Sequence, residues 1–126
     1  MIVSSATGAA LRIDVSYSEN PGGAVCVIAP FGEVDASKAP TLTAQFNQLL
    51  GDGEQRFVID MSGVTFIDSS GISSIVHLFK RVRIGHGDVK LAAIRPEVLK
   101  VLTLIRLDRV FEIFPDVAAA RDSYGS

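Results

Sequence analysis

The stretch RFVIDMSGVTFIDSSGISSIVHLFKRV, residues 56–82, decides how this chain is read. It begins with Arg56 to Met61, a short apolar run of strand length. It ends with Ile72, Ile75, Val76 and Phe79 at steps of three and four. That spacing predicts an amphipathic helix from Ser69 to about Arg83. SGVTF, before Ile67, reads as a short connection. The first turn of a helix leaves amides unpaired and carries partial positive charge. Asp68 or Ser69 can cap it, Ser70 falls in the first turn with its hydroxyl outward, and Gly71 adds no side chain to block the approach. Two readings follow. Asp68, Ser69 and Ser70 form an ordinary capping cluster, or Ser70 is a hydroxyl placed where a phosphate would be well tolerated.

Outward from this stretch, the pattern alternates between strands and helices. ALRIDVSY places Leu11, Ile13 and Val15 on one side and Arg12, Asp14 and Ser16 on the other, as in a half-buried strand. ENPGG is a turn, and AVCVIAP is a short continuous apolar run that fits a buried strand, with Pro30 ending regular pairing. FGEVDASKAP reads as a loop in which Asp35 or Ser37 caps the first helix. That helix carries Leu42, Phe46, Leu49 and Leu50 on its apolar side and stops at Gly51. After the second helix, VKLAAI is a strand. Pro96 opens a third helix with Val98, Leu102 and Ile105 as its stripe, VFEIF is a fifth strand, and PDVAAARDSY is a short final helix. The expected fold is therefore α/β: one domain over residues 11–123, a mixed and mostly parallel sheet of about five strands, and about four helices. Residues 1–10 are expected to be a flexible N-terminal segment.

Bulk properties exclude several classes of function. The chain has 126 residues, enough for one domain, and 48% of them are hydrophobic. A net charge of -2, from 12 basic and 14 acidic residues, argues against a general nucleic-acid or anionic-membrane binder. No run is long enough for a membrane span, so no membrane insertion is expected. The single cysteine, Cys26, lies in an apolar run and reads as an inert buried thiol. With no export signal and no disulfide framework, the cytoplasm is the expected location.

Enzymatic chemistry finds little support. A nucleophile elbow needs glycine two residues before the serine, but Ile67 and Asp68 stand before Ser69 and Ser70. His77 and His86 lie in or beside one helix, so no triad is apparent. No phosphate-binding loop, dinucleotide fingerprint or metal-ligand spacing is present. No catalytic residue, cofactor or metal is expected. A response-regulator receiver using Asp60 is disfavoured, because VSYSENPGG and IRPE do not supply its acidic cluster and late lysine.

VIDMSGVTFIDSSGISSIVHLFKRVR resembles the signature of the STAS domain, shared by bacterial anti-sigma factor antagonists (anti-anti-sigma factors) and a cytoplasmic module of sulfate transporters. FGEVDASKAP is similar to the family's segment before the first helix, and LAAIRPEVLKVLTLIRLDRVFEIFPDVAAA to its closing elements. The resemblance runs from Leu11 onward. It implies a partner-switching phosphoprotein of bacterial transcription regulation. Its partner is an anti-sigma factor that is also a serine kinase of the GHKL type, and a PP2C-type phosphatase reverses the modification. The matching phosphoacceptor is Ser70, oriented by Asp68, Ser69 and Gly71. The alternative is a STAS scaffold in a larger assembly without sigma control. Ser70, Ser74, His77 and Arg81 are expected to share an exposed helix face with Ser73 beside it, either as a solvated face or as a partner surface. Glu33 and Asp35 are expected to border that surface, or to serve only as loop and capping residues.

Overall fold

The computed structural model describes residues 2–6 and 11–124. The elements in chain order are β1 (Ile2–Ala6), β2 (Arg12–Asn20), β3 (Gly23–Val34), α1 (Ala39–Gly51), β4 (Arg56–Asp60), β5 (Val64–Ile67), α2 (Ser69–Ile84), β6 (Asp88–Ala92), α3 (Pro96–Leu104), β7 (Ile113–Phe114) and α4 (Val117–Asp122). The sheet runs β1-β2-β3-β4-β6-β7, and β5 pairs with β3 off that path. β1, β2 and β3 are antiparallel neighbours, whereas β3–β4, β3–β5, β4–β6 and β6–β7 are parallel. The α/β class, the mixed sheet and the four helices match the sequence expectation.

Residue spacing explains the layers. In the central strand β4, Phe57, Val58 and Ile59 are all fully buried, because the sheet is covered on both faces. Phe57 and Ile59 join Leu42, Phe46, Leu49, Ile75, Leu78 and Val82 of α1 and α2 in the main core. Val58 points the other way and packs with Val25, Val27, Ala92 and Ala120, the last from α4. Cys26 lies on β3, fully buried.

Several details depart from the sequence reading. Ile2–Ala6, which the sequence reading places in a flexible N-terminal segment, pair with β2 as β1; residues 1 and 7–10 of that segment lie outside the described residues. SGVTF is not just a connection, since Val64–Ile67 form β5. β3 runs through Pro30 to Val34. Its pairing with β4 is over by Ile28, so beyond that point one edge of β3 has no β4 ladder and a missing N–H is tolerated. β3 then takes β5 as its partner from Gly32, whose φ of +100° accommodates the register shift there. Asp14 is buried rather than facing solvent, and Arg12 covers its carboxylate at 2.9 Å. Ile105 is half-exposed and lies off the α3 stripe, which buries Val98 and Leu102.

The end of the sheet where the parallel strands begin is tied down by polar groups. The Tyr124 hydroxyl lies 2.8 Å from the carbonyl of Phe57 and 2.9 Å from that of Asp88. The buried Lys90 ammonium donates to the Ser123 hydroxyl at 2.6 Å, pairs with Glu112 and faces the Tyr124 ring at 4.2 Å. Asn20 donates to the carbonyl of Arg121.

Burial pushes the Cys26 thiol from its ordinary 9.0 up to about 12, with Glu54 adding to the effect. Burial likewise pushes the Tyr17 phenol from 10.0 to about 12 and raises Tyr124 above its ordinary value. These groups keep their protons in the fold after the unfolded chain has lost them. Their contribution is therefore complete below the unfolded values and is lost as pH rises through the folded ones. Urea midpoints should hold up to about pH 9 and fall progressively toward about pH 12. Cys26→Ala should flatten the first part of that decline. A flat profile across the whole window would contradict the buried placement of these protons.

Candidate functional site

The site is the start of α2 and the loop between β3 and α1 that lies against it. Asp68 has extended backbone (φ -108°, ψ -173°) and is the N-cap of α2. Its Oδ1 accepts from the amides of Ser70 at 2.9 Å and Gly71 at 3.2 Å. Its Oδ2 accepts from the amide of Ala36 at 3.1 Å. One carboxylate thus caps the helix and ties down the β3–α1 loop. The main chain adds a second tie, from the Asp68 amide to the Val34 carbonyl at 3.2 Å. The open choice between Asp68 and Ser69 as the cap is resolved for Asp68. Ser69 is the first helical residue and is exposed.

Gly71 is needed for contact rather than for conformation. A Cβ there would lie 2.7 Å from the Val34 carbonyl oxygen and from Ile67 Cγ1, and 2.8 Å from Val34 Cγ1. The first turn of α2 rests directly on the ends of β3 and β5.

Ser70 is half-buried and lines an open groove of about 530 Å³ with Ala36, Ala39, Pro40, Thr43, Ala44 and Asn47. Apart from Ser70, the walls come from the loop and α1. The sequence reading gave none of these wall residues a role at the site. Its only available signal was the run of small side chains on α1, which does not show which helix it faces.

The expected shared face of α2 divides in two. Ser74 is buried, which corrects its expected exposure. Its hydroxyl lies 3.2 Å from the Ser70 carbonyl and 2.9 Å from the Thr43 hydroxyl. Arg81 is exposed but donates to Asn47 Oδ1, so it also bridges to α1. Ser73 and His77 are exposed elsewhere on the helix, where they line a shallow hollow of about 260 Å³ with Ile72, Val76 and Lys80. The reason is a rotation of the buried stripe. It runs through Gly71, Ser74, Ile75, Leu78 and Val82, while Ile72, Val76 and Phe79 are only partly buried. The 70, 74 and 81 positions are therefore turned toward α1.

Glu33 is exposed and stands opposite Phe66 in the β3–β5 register. Asp35 is not the N-cap of α1, which is Lys38 without a side-chain cap. Asp35 Oδ1 instead accepts from the Ser37 hydroxyl at 2.7 Å and from the amides of Ser37 and Lys38. These bonds, led by the Ser37 hydroxyl, hold its carboxyl below the ordinary range. The loop is thus an acidic turn leading into α1. Among the described residues no group of His, Cys, Asp and Glu is arranged to hold a metal ion, and no helix is long and apolar enough to cross a membrane.

Two substitutions separate contact from capping. Gly71→Ala should destabilise the fold by about 1–3 kcal/mol, because the Val34 carbonyl it would meet is backbone that cannot move aside. Asp68→Ala should cost about 1 kcal/mol for the lost cap. Urea unfolding of both variants is the check. A Gly71→Ala protein as stable as wild type would mean that the helix start is not held tightly against β3 and β5.

Comparison with known proteins gives a consistent placement. A Bordetella bronchiseptica protein named "Putative anti-sigma factor antagonist BtrV" is 28% identical over 92 residues, covering 73% of this chain and 76% of that protein. A Thermotoga maritima protein described in the same terms is 29% identical over 77 residues, covering 61% of this chain and 68% of its own length. A crystal structure of such a protein from Thermotoga maritima superposes with a TM-score of 0.77 at 24% identity, covering 86% of this chain and 92% of that one. The STAS domain pattern matches residues 17–120, a span that takes in β3, the β3–α1 loop, Asp68 and Ser70, and the chain belongs to the STAS domain family.

Proposed function

We propose that this chain is an anti-sigma factor antagonist that works as a phosphorylation-controlled partner switch without catalytic activity of its own. The observation that carries the reading is Ser70. Its hydroxyl sits in the first turn of α2, beside an open groove, with the helix start fixed by Asp68 on one side and Gly71 on the other. The names of the two sequence relatives support the same role.

In this reading the unmodified protein binds an anti-sigma factor that is also a GHKL-type serine kinase, and so frees the sigma factor. The kinase then transfers the γ-phosphoryl group of ATP to Ser70. The Ser70 oxygen forms a bond to the γ-phosphorus, the bond from that phosphorus to the ADP oxygen breaks, and the hydroxyl proton passes to a base of the kinase. A PP2C-type phosphatase later hydrolyses the serine–phosphate bond and releases inorganic phosphate. The binding surface is the groove between α1 and α2, with Glu33 and Asp35 on the strand end and loop before α1, Arg81 farther along α2, and Ser73 and His77 extending it onto the second face of that helix. Ser74 acts from beneath, through its contacts to Thr43 and Ser70. These events take place in the cytoplasm.

Phosphorylation adds roughly -1.5 to -2 charge at the groove. A desolvated phosphate lacking a matched cation opposes binding by several kcal/mol, and each 1.4 kcal/mol is about tenfold in affinity. Affinity isolation from the native host with wild-type, Ser70→Ala and Ser70→Glu baits is the test. Wild type and Ser70→Ala should enrich one GHKL-type ATPase and Ser70→Glu should not. Calorimetry with that ATPase should show Ser70→Glu at least about tenfold weaker. Peptide mass analysis of the native protein should place phosphate on Ser70. Phosphate only on Ser69, or equal binding by Ser70→Glu and Ser70→Ala, would sink the switch. Recovery of a stable high-mass assembly without a kinase would point to the scaffold role instead.

A further inference from the structure

The place where a phosphate on Ser70 would be neutralised is already occupied by a carboxylate. Asp68 Oδ1 takes the amides of Ser70 and Gly71, two of the donors that the helix start offers to an anion. Its other oxygen holds the amide of Ala36. Ala36 and Ser70 line the same groove. A dianion and a carboxylate would therefore meet over one set of donors, with the β3–α1 loop attached to the carboxylate.

We propose that a phosphate on Ser70 acts through Asp68: it displaces the carboxylate from the first-turn amides, the Ala36–Asp68 hydrogen bond opens, and residues 35–38 are released from the start of α2. This rests on the reading of Ser70 as the phosphoacceptor and adds how the modification is transmitted. The phosphate has the larger charge and more acceptor oxygens, so the helix start favours it over the carboxylate. The backbone there cannot yield. Gly71 rests against Val34 and Ile67, and the Asp68 main chain is held by the Val34 carbonyl and the Ile72 amide. The Asp68 side chain is the part that moves, and its bond to Ala36 is the exposed one of its three.

On the loop side, Asp35 binds the Ser37 hydroxyl and the amides of Ser37 and Lys38, and its carbonyl accepts from the amides of Lys38 and Ala39. The turn therefore keeps its own shape and swings as a unit when its tether to α2 opens. Ala36 forms one wall of the groove, so the wall moves when the charge arrives. A partner fitted to the unmodified groove meets both a phosphate and an altered surface.

The test uses the full chain with phosphoserine installed at position 70 during translation, so no kinase is needed. Its outcome is thus separate from whether Ser70 is the phosphoacceptor in the cell, which peptide mapping decides. Amide hydrogen exchange and nitrogen-15 chemical shifts are read at Ala36, with residues 57–59 as internal controls. Phosphoserine should speed exchange at Ala36 by about tenfold or more and leave the β4 amides unchanged. The Ala36 resonance should also titrate with the phosphorus resonance near pH 6, the second ionisation of the phosphate. In Asp68→Ala, Ala36 should exchange rapidly without phosphate and gain less than about twofold from it. Should Asp68→Ala not fold, the joint titration in the otherwise unaltered protein decides the question alone. Unchanged exchange and shift at Ala36, or the same acceleration with Asp68 removed, would overturn the proposal.

Discussion

The close approach of the α2 first turn to the ends of β3 and β5 is the constraint from which the site follows. Gly71 permits it, since any Cβ would collide with Val34 and Ile67. Asp68 fixes it in angle, because a carboxylate held by two helix amides and one loop amide leaves the helix little freedom to tilt. With α2 set this way, Ser74 turns inward to meet Thr43, Arg81 reaches Asn47, and α1 lies alongside as the far wall of the groove. Ser70 stands at the open end of that arrangement by geometry alone, before any partner is considered.

Much of this was legible in the sequence because it depends on local rules. Alternation and apolar runs gave β2, β3, β4 and β6, and steps of three and four gave α1, α2 and α3. Asp68 declared itself as a cap candidate by its place before an apolar period. What was missed depends on tertiary pairing. β5 is only four residues long and exists because β3 continues past β4 with an edge to offer. Pro30 reads locally as a strand breaker, and only the end of the β4 ladder makes it harmless. Ser74 was misplaced for a related reason. Its hydroxyl makes it look solvent-facing, but a partner hydroxyl on α1 and a carbonyl one turn back satisfy it in a buried position. No one-dimensional pattern contains Thr43 as the partner of Ser74.

The two ends of the sheet are held together by different kinds of contact. At one end Tyr124, Lys90 and Asn20 tie α4 and the β2–β3 hairpin to the central strands through partly buried bonds and aromatic contacts. At the other, the β3–α1 loop is joined to α2 by one exposed bond to the Asp68 side chain, beside the main-chain tie from Asp68 to Val34, while its own turn is closed by Asp35. Exposed backbone bonds with few apolar contacts around them open at lower free energy than core ladders. The end that carries Ser70 is therefore the end able to change without loosening the fold.

That asymmetry bears on how a single charge can matter in a domain this small. Val58, Phe57 and Ile59 are buried on both faces of the sheet, so a perturbation cannot spread through the centre without paying for the whole core. On the route proposed above, a charge placed on Ser70 has a shorter path, through a carboxylate two residues away to an amide across the groove. The first link is partly buried and the second is exposed, so on the proposed route the response stays at the surface that a partner would touch. A switch built this way needs no second folded state. It needs one anion already at the helix start, one loop hanging from it, and a hydroxyl beside both.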